Sequence, residues 1–201
     1  MRLTQSIHIS KPSIIHILVW FGVYFTIFNA TAAETLVIGS SKSAIKIEEI
    51  AVFDEPWALK FINRDELLVS TKNGNLWLVQ KDGKKSAIKG LPKVTYGGQG
   101  GLGDIVPHPN FKKNNLLYLS FVTSENNGRT RGAKVIRAEL ENGEILNHQV
   151  IWEQFPHTRG RGHFSYRLAF GPEGSSQEGM LFISSGDRQM MHPAQTFDNN
   201  L

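Results

Sequence analysis

Residues 103–121 read GDIVPHPNFKKNNLLYLSF: a short strand, a turn rich in Pro and Asn, and a more apolar strand ending near Ser120. Two other stretches share this build, WALKFINRDELLVST at 57–71 and YRLAFGPEGSSQEGMLFISS at 166–185. Their starts lie about 45 and 60 residues apart, a period that fits propeller blades rather than a sandwich. The three stretches therefore point to an all-β chain whose unit is a small antiparallel sheet.

Working outward, strands are expected at Trp57–Ile62 and Leu67–Ser70, separated by the turn-forming Asn63-Arg64-Asp65. Asn73-Gly74 then signals a hairpin into Leu76–Gln80, and Asp82-Gly83 another turn. Further strands are expected at Ala133–Leu140 and Val150–Gln154, and no stretch sustains a 3.6-residue apolar period. Residues 33–55 read as a lead-in with an outer strand over Ile45–Ile50. Trp57, Trp77, Tyr118, Phe121, Phe170 and Phe182 are expected to fill the spaces between blades. Roughly three blades are in view, whereas a closed ring uses about four to eight. The pattern at Phe197–Leu201 stops in mid-course, so residues 56–201 are expected to be the N-terminal part of a longer propeller. A complete small open sheet would leave strand edges unprotected.

Residues 1–32 read as a leader. Arg2 and Lys11 precede the apolar run IIHILVWFGVYFTIF at 14–28, and Ala30-x-Ala32 fits a signal-peptidase site. The run is short for a membrane span, so no stable membrane insertion is expected after cleavage, although an uncleaved anchor is the other reading. Removing the leader lowers the formal charge from +4 to +2, too mild and scattered for a nucleic-acid partner. The chain contains no Cys, so its stability rests on buried apolar surface, a cofactor or a metal, not on disulfides.

Three clusters carry possible chemistry. YGGQGGLGD at 96–104 uses glycines to bring Gln99 close to neighbouring backbone; it lacks the Gly-Lys-Ser/Thr of a phosphate loop and the setting of a dinucleotide site. RGRGHFSYRLAF at 159–170 places His163 behind glycines and before a strand, where an imidazole can act as a general base or be structural. SSGDR at 184–188 follows an apolar strand; Asp187 can hold His163 in one tautomer, or can form a turn and pair with a neighbouring Arg. His108, between Pro107 and Pro109, reads as a structural turn residue. Asp54, Glu55 and Asp104 are too scattered for a metal-dependent hydrolase such as a lactonase, and no metal ligand is assigned in this segment.

Taken in order, GQGGLGDIVPHPNF, NNLLYLSF, GHFSYRLAFGPEG, LFISSGDR and AQTFDNN resemble the PQQ-dependent soluble aldose dehydrogenases, the glucose/sorbosone dehydrogenase family. The resemblance runs from about Pro56 to Leu201. It implies a six-bladed β-propeller and PQQ and Ca²⁺ as cofactors. It also implies oxidation of an aldose or related sugar alcohol by hydride transfer from C1 to the quinone. His163 matches the family's base, Asp187 the carboxylate beside it, and Gln99 a substrate-binding glutamine. The Ca²⁺ ligands and the cationic clamps on the quinone are expected beyond Leu201, so the segment alone is expected to be inactive.

Where the family often has a second glycine after the Gly-His-Phe motif, this chain has Ser165-Tyr166, a change that can narrow the pocket. Where some members carry Asp before the base, it has Gly162, which argues against assuming glucose as the sugar. Arg159 and Arg161 can face an anionic cofactor, but surface is the default for such charge. The resemblance implies an external electron acceptor and, with the leader, a periplasmic or secreted protein. A non-catalytic ligand-binding propeller is the alternative, since fold does not fix function; the His163/Asp187 pair favours the enzyme.

Overall fold

The computed structural model describes residues 35–38, 44–190 and 192. The leader over 1–32 and the motif AQTFDNN lie outside the described residues. Strands β1 (Thr35–Ile38) and β2 (Ala44–Ile47) form a hairpin of their own. The outer strand expected over Ile45–Ile50 is thus confined to β2 and pairs with no blade strand. Beyond it, Ala51 and Phe53 pack against Leu67, Val69 and Val79 of the first blade.

That blade contains β3 (Pro56–Phe61), β4 (Glu66–Thr71), β5 (Asn75–Gln80) and β6 (Lys85–Ile88), antiparallel and in chain order. Its three hairpins fall at the three predicted turns, and in two of them Gly74 at φ 102° and Gly83 at φ 85° occupy the left-handed region that favours glycine. The second blade is β7 (Leu102–Pro107), β8 (Leu116–Glu125), β9 (Thr130–Glu141) and β10 (Glu144–Glu153). Between β7 and β8 the turn contains a one-turn helix, α1 (Phe111–Asn114), ended by left-handed Asn115. His108 is structural there, its Nδ1 accepting from the Asn110 N–H at 2.9 Å while its ring packs on Tyr118 and Phe170. A third sheet begins with β11 (Ser165–Phe170) and β12 (Leu181–Ser185). The sheets are successive blades of a β-propeller.

The first strands of the blades lie side by side, β7 packing between β3 and β11. Leu68 and Leu76 of the first blade meet Leu102, Ile105, Leu117 and Leu119 of the second in one fully buried cluster. Each such side chain contributes roughly 1.5–3 kcal/mol of burial. Across the next interface, Val106 and Val135 meet Leu168. Leu168, Leu181 and Ile183 take one face of the third sheet, and Phe182 the other, where it is half exposed. Trp57 is also partly exposed.

One local device recurs in every blade. The pairing of first and second strands slips at Pro56/Ala58, at Leu102/Ile105 and at Ser165/Leu168. Beside each slip a serine hydroxyl of the second strand accepts a backbone N–H of the first. The pairs are Ala58 to Ser70 Oγ (3.1 Å), Asp104 to Ser120 Oγ (2.8 Å) and Arg167 to Ser184 Oγ (2.9 Å). These are the serines near which each repeated stretch ends in the sequence. A bulge frees backbone groups from the ladder, and here a side chain takes up the freed donor.

Candidate active site

The loops entering β7 and β11 and the loop leaving β12 converge. Gln99 donates its backbone N–H to Arg161 O at 2.7 Å, and its side-chain Oε1 accepts the His163 N–H at 2.7 Å. The approach requires glycine: a Cβ on Gly98, at φ +63°, would lie 2.4 Å from Arg161 O. On the other side, Arg188 N–H donates to His163 O at 3.2 Å. His163 is thereby pinned at φ 51°, with Ser165 and Tyr166 also left-handed. Non-glycine residues keep such conformations only where their surroundings fix them.

The imidazole of His163 meets Asp187, Nδ1 to Oδ1 at 2.8 Å. A carboxylate only accepts, so Nδ1 carries the proton and Nε2 keeps a lone pair. The His163 hydrogen bond, followed by the Gln189 backbone N–H, holds the Asp187 carboxyl below its ordinary pKa of 3.8. Both side chains line an open cavity of about 550 Å³ with Trp57, Gln99, Phe164, Ser165, Tyr166 and Gly186. Half of the His163 side chain is exposed to it. Such an arrangement can serve as an oriented base with a carboxylate placed to stabilise its imidazolium.

The three residues singled out in the sequence thus come together. Gln99 grips the backbone of His163 with its carbonyl oxygen, which leaves the NH₂ as the donor it can offer to the cavity. Asp187 does not pair with a neighbouring arginine; Arg188 turns away from it and bonds carbonyl oxygens. Tyr166 is buried, not at the pocket mouth: its ring lies against Gly103 and Trp57, and its hydroxyl donates to Gln99 O at 2.8 Å. Arg159 and Arg161 are exposed, in keeping with surface as the default for such charge.

Several supports were not read from the sequence. Gln154, fully buried, accepts the Ala133 N–H at 3.2 Å and donates to Ser185 Oγ and Gly186 O at 3.0 Å each, anchoring the Gly186–Arg188 loop to the second blade. Asp104, also fully buried, accepts the N–H groups of Ile105 and Leu168 at 2.9 Å each and pairs with Arg167 at 3.3 Å. No local pattern announces either role, because the partners come from other blades. Trp57 had a weak signal: it aligns with Gly103 and Tyr166 at the start of its repeat.

Among the described residues, the His and carboxylate groups close enough to share a cation are Glu125, Glu153 and His157. Nδ1 of His157 faces Glu125 at 3.5 Å and Nε2 faces Glu153 at 3.1 Å, both off the hydrogen-bond direction. Lys134 already sits 3.0 Å from Glu153. With its two nitrogens turned to different carboxylates and a lysine beside one of them, this is not a converging ligand set.

Residues 53–201 match the model of the glucose/sorbosone dehydrogenase family. The chain belongs to that family. It is 30% identical over 150 residues to the aldose sugar dehydrogenase YliI of Escherichia coli, a match covering 72% of this chain and 38% of that protein. A crystal structure of a glucose dehydrogenase superposes with a TM-score of 0.67 at 33% identity, covering 73% of this chain and 42% of the other. The apo-form structure of the soluble aldose sugar dehydrogenase from Escherichia coli gives 0.64 at 28%, with the same coverages. A PQQ-bound aldose sugar dehydrogenase from Streptomyces coelicolor shares the fold at 22% identity, with a TM-score of 0.65 over 84% of this chain and 46% of that one. The chain spans about two fifths of the length of the relatives it matches.

Proposed function

We propose that this chain is the base-bearing part of an exported, PQQ-dependent dehydrogenase that oxidises an aldose or related sugar alcohol. The observation that carries the reading is His163, pinned by backbone on both sides and held through Nδ1 by Asp187. Nε2 is left as the acceptor for the proton of the sugar C1 hydroxyl. As that proton arrives the imidazole becomes cationic, and the ionised Asp187 stabilises it in place. Gln99 and Ser165, both lining the cavity, supply polar groups to orient the sugar hydroxyls.

PQQ is flat and carries several carboxylates. The cavity suits part of such a group: it is open, about 550 Å³, and walled on one side by the aromatic Trp57. Among the described residues its lining contains no Arg or Lys, so these residues serve the substrate and base end, with Trp57 offering a flat surface to the ring system. When bound, PQQ supplies the acceptor for the hydride that leaves the sugar carbon. Calcium belongs to the proposal as the ion that makes the quinone a better acceptor. Export rests on the leader read in residues 1–32; no described helix is long and apolar enough to cross a membrane.

The test is His163→Ala in the full-length protein supplied with PQQ and Ca²⁺. Turnover of aldoses is expected to be lost, with PQQ binding retained by absorbance titration. Unchanged turnover would remove His163 as the base. The intact mass of the exported protein checks removal of the leader.

A further inference from the structure

We propose that Arg188 is the positioning residue of the candidate base: its buried guanidinium sets the backbone of the loop from which His163 reaches the cavity. The inference rests on the reading of His163 given above. The Arg188 side chain is 1% exposed, and among the described residues it pairs with no carboxylate. Its donors go to backbone carbonyls: Nε to Gly162 O at 3.0 Å, Nη2 to Gly160 O at 3.1 Å and Nη1 to Arg131 O. The guanidinium carbon lies over Phe164, 3.8 Å from the ring centroid. Burial pushes its pKa down to about 10, so it remains a cation at neutral pH.

The alternation of the loop gives this pattern its meaning. The carbonyls of Gly160 and Gly162 turn towards Arg188, while the intervening carbonyl of Arg161 turns away and accepts from Gln99 N–H. The backbone is thus held from opposite sides immediately before His163. Past that residue, Arg188 N–H takes His163 O and Gly186 N–H takes Phe164 O. Neighbouring residues therefore divide the work, Asp187 fixing the imidazole and Arg188 the main chain beneath it. The division depends on Arg188 not pairing with Asp187: its charge is spent on carbonyls, and the carboxylate is left for His163. A lysine has the charge but lacks the planar fork needed to reach Gly160 and Gly162 together.

The test compares wild type with Arg188→Lys and Arg188→Ala in the full-length protein. Readouts are the His163 imidazole by ¹⁵N-edited NMR across a pH titration, and kcat, KM and the pH–rate profile for aldose oxidation with added PQQ and Ca²⁺. Arg188→Lys is expected to lower kcat on the order of 10²-fold with KM nearly unchanged, as misplacement of a base does. It is also expected to weaken the downfield Nδ1–H signal, as Asp187→Asn does. In Arg188→Ala, millimolar guanidinium but not ammonium should restore the Nδ1–H signal. Wild-type kcat, pH profile and His163 titration in Arg188→Lys would overturn the proposal. If Arg188→Lys does not fold, the alanine variant decides: no recovery with guanidinium, or no folded protein, makes Arg188 a folding determinant only. A wild type that oxidises no aldose, but whose His163 signal responds to Arg188→Lys, sinks the dehydrogenase reading and keeps this one. Oxidation that needs His163 and ignores Arg188 does the reverse.

Discussion

Trp57 and Tyr166 stack with ring centroids 6.2 Å apart and planes 17° from parallel, although they belong to the first and third blades. The second blade lies between them in sequence and contributes Gly103 at the matching position. A Cβ there would fall 1.9 Å from the Tyr166 ring and 2.8 Å from Ser120 Oγ. The absent side chain lets one aromatic residue cross to the other, and the pair forms a wall of the cavity beside His163.

Gly103→Ala should therefore be costly. The ring cannot retreat without breaking its stack and its hydroxyl bond to Gln99 O, so a loss of roughly 3 kcal/mol is expected, at the upper end of overpacking effects. Urea unfolding measures it, and Trp57 emission should shift as its neighbour moves. A variant with wild-type stability and emission would show that the stack does not form.

Tyr166 also gives the protein an alkaline weakness. Burial raises its pKa above the ordinary 10.0, so the folded state keeps the phenol proton more tightly than the unfolded one. The resulting stability is complete below pH 10 and is lost as pH rises from there towards the raised value. Tyr166→Phe should cost about 1 kcal/mol at neutral pH, for the hydrogen bond to Gln99, and should flatten the fall in melting temperature between pH 9 and 11. Parallel curves for the two proteins would contradict this.

The lowered carboxyl of Asp187 gives the opposite sign. Its folded pKa lies below the ordinary value, chiefly through the His163 hydrogen bond, so its contribution is full above the ordinary carboxylate range and vanishes as pH falls through the depressed value. On the proposed dehydrogenase reading, Asp187→Asn in the full-length protein should lower kcat by roughly 10²–10⁴-fold with little change in KM. In the wild type the Asp187 carboxyl, followed by ¹³C NMR, should stay ionised between about pH 5 and 8. A carboxyl signal that moves near pH 6 would mean Asp187 titrates in the working range.

The three blade serines should rank by burial. Ser70 and Ser120 are fully buried, and Ser70 Oγ also donates to Gly103 O at 2.7 Å, whereas Ser184 is exposed. Ser70→Ala and Ser120→Ala each leave a buried N–H without a partner and should cost about 1–3 kcal/mol; Ser184→Ala should cost under about 0.5 kcal/mol. Equal losses in urea unfolding would reject the role of burial.

Much of this was legible because it is local or repeated. The turns at Asn73-Gly74 and Asp82-Gly83, and the start of each blade, follow from residue types at fixed spacing. His163, Asp187 and Gln99 stood out as polar residues beside glycines, and folding brought all three together. What was hidden joins blades. Buried Gln154 and Asp104 look like surface residues in sequence, and their partners, Gly186 and Leu168, lie far along the chain. The stack of Trp57 on Tyr166 across Gly103 was hidden too, because aromatic character alone does not name a partner two blades away.

The serine beside each bulge bears on how such a protein can change over time. Because each described sheet satisfies the donor freed at its bulge with its own serine, that strand pair does not rely on a neighbouring loop for the bond. Loops not gripped by other blades can thus change while the paired strands stay constant.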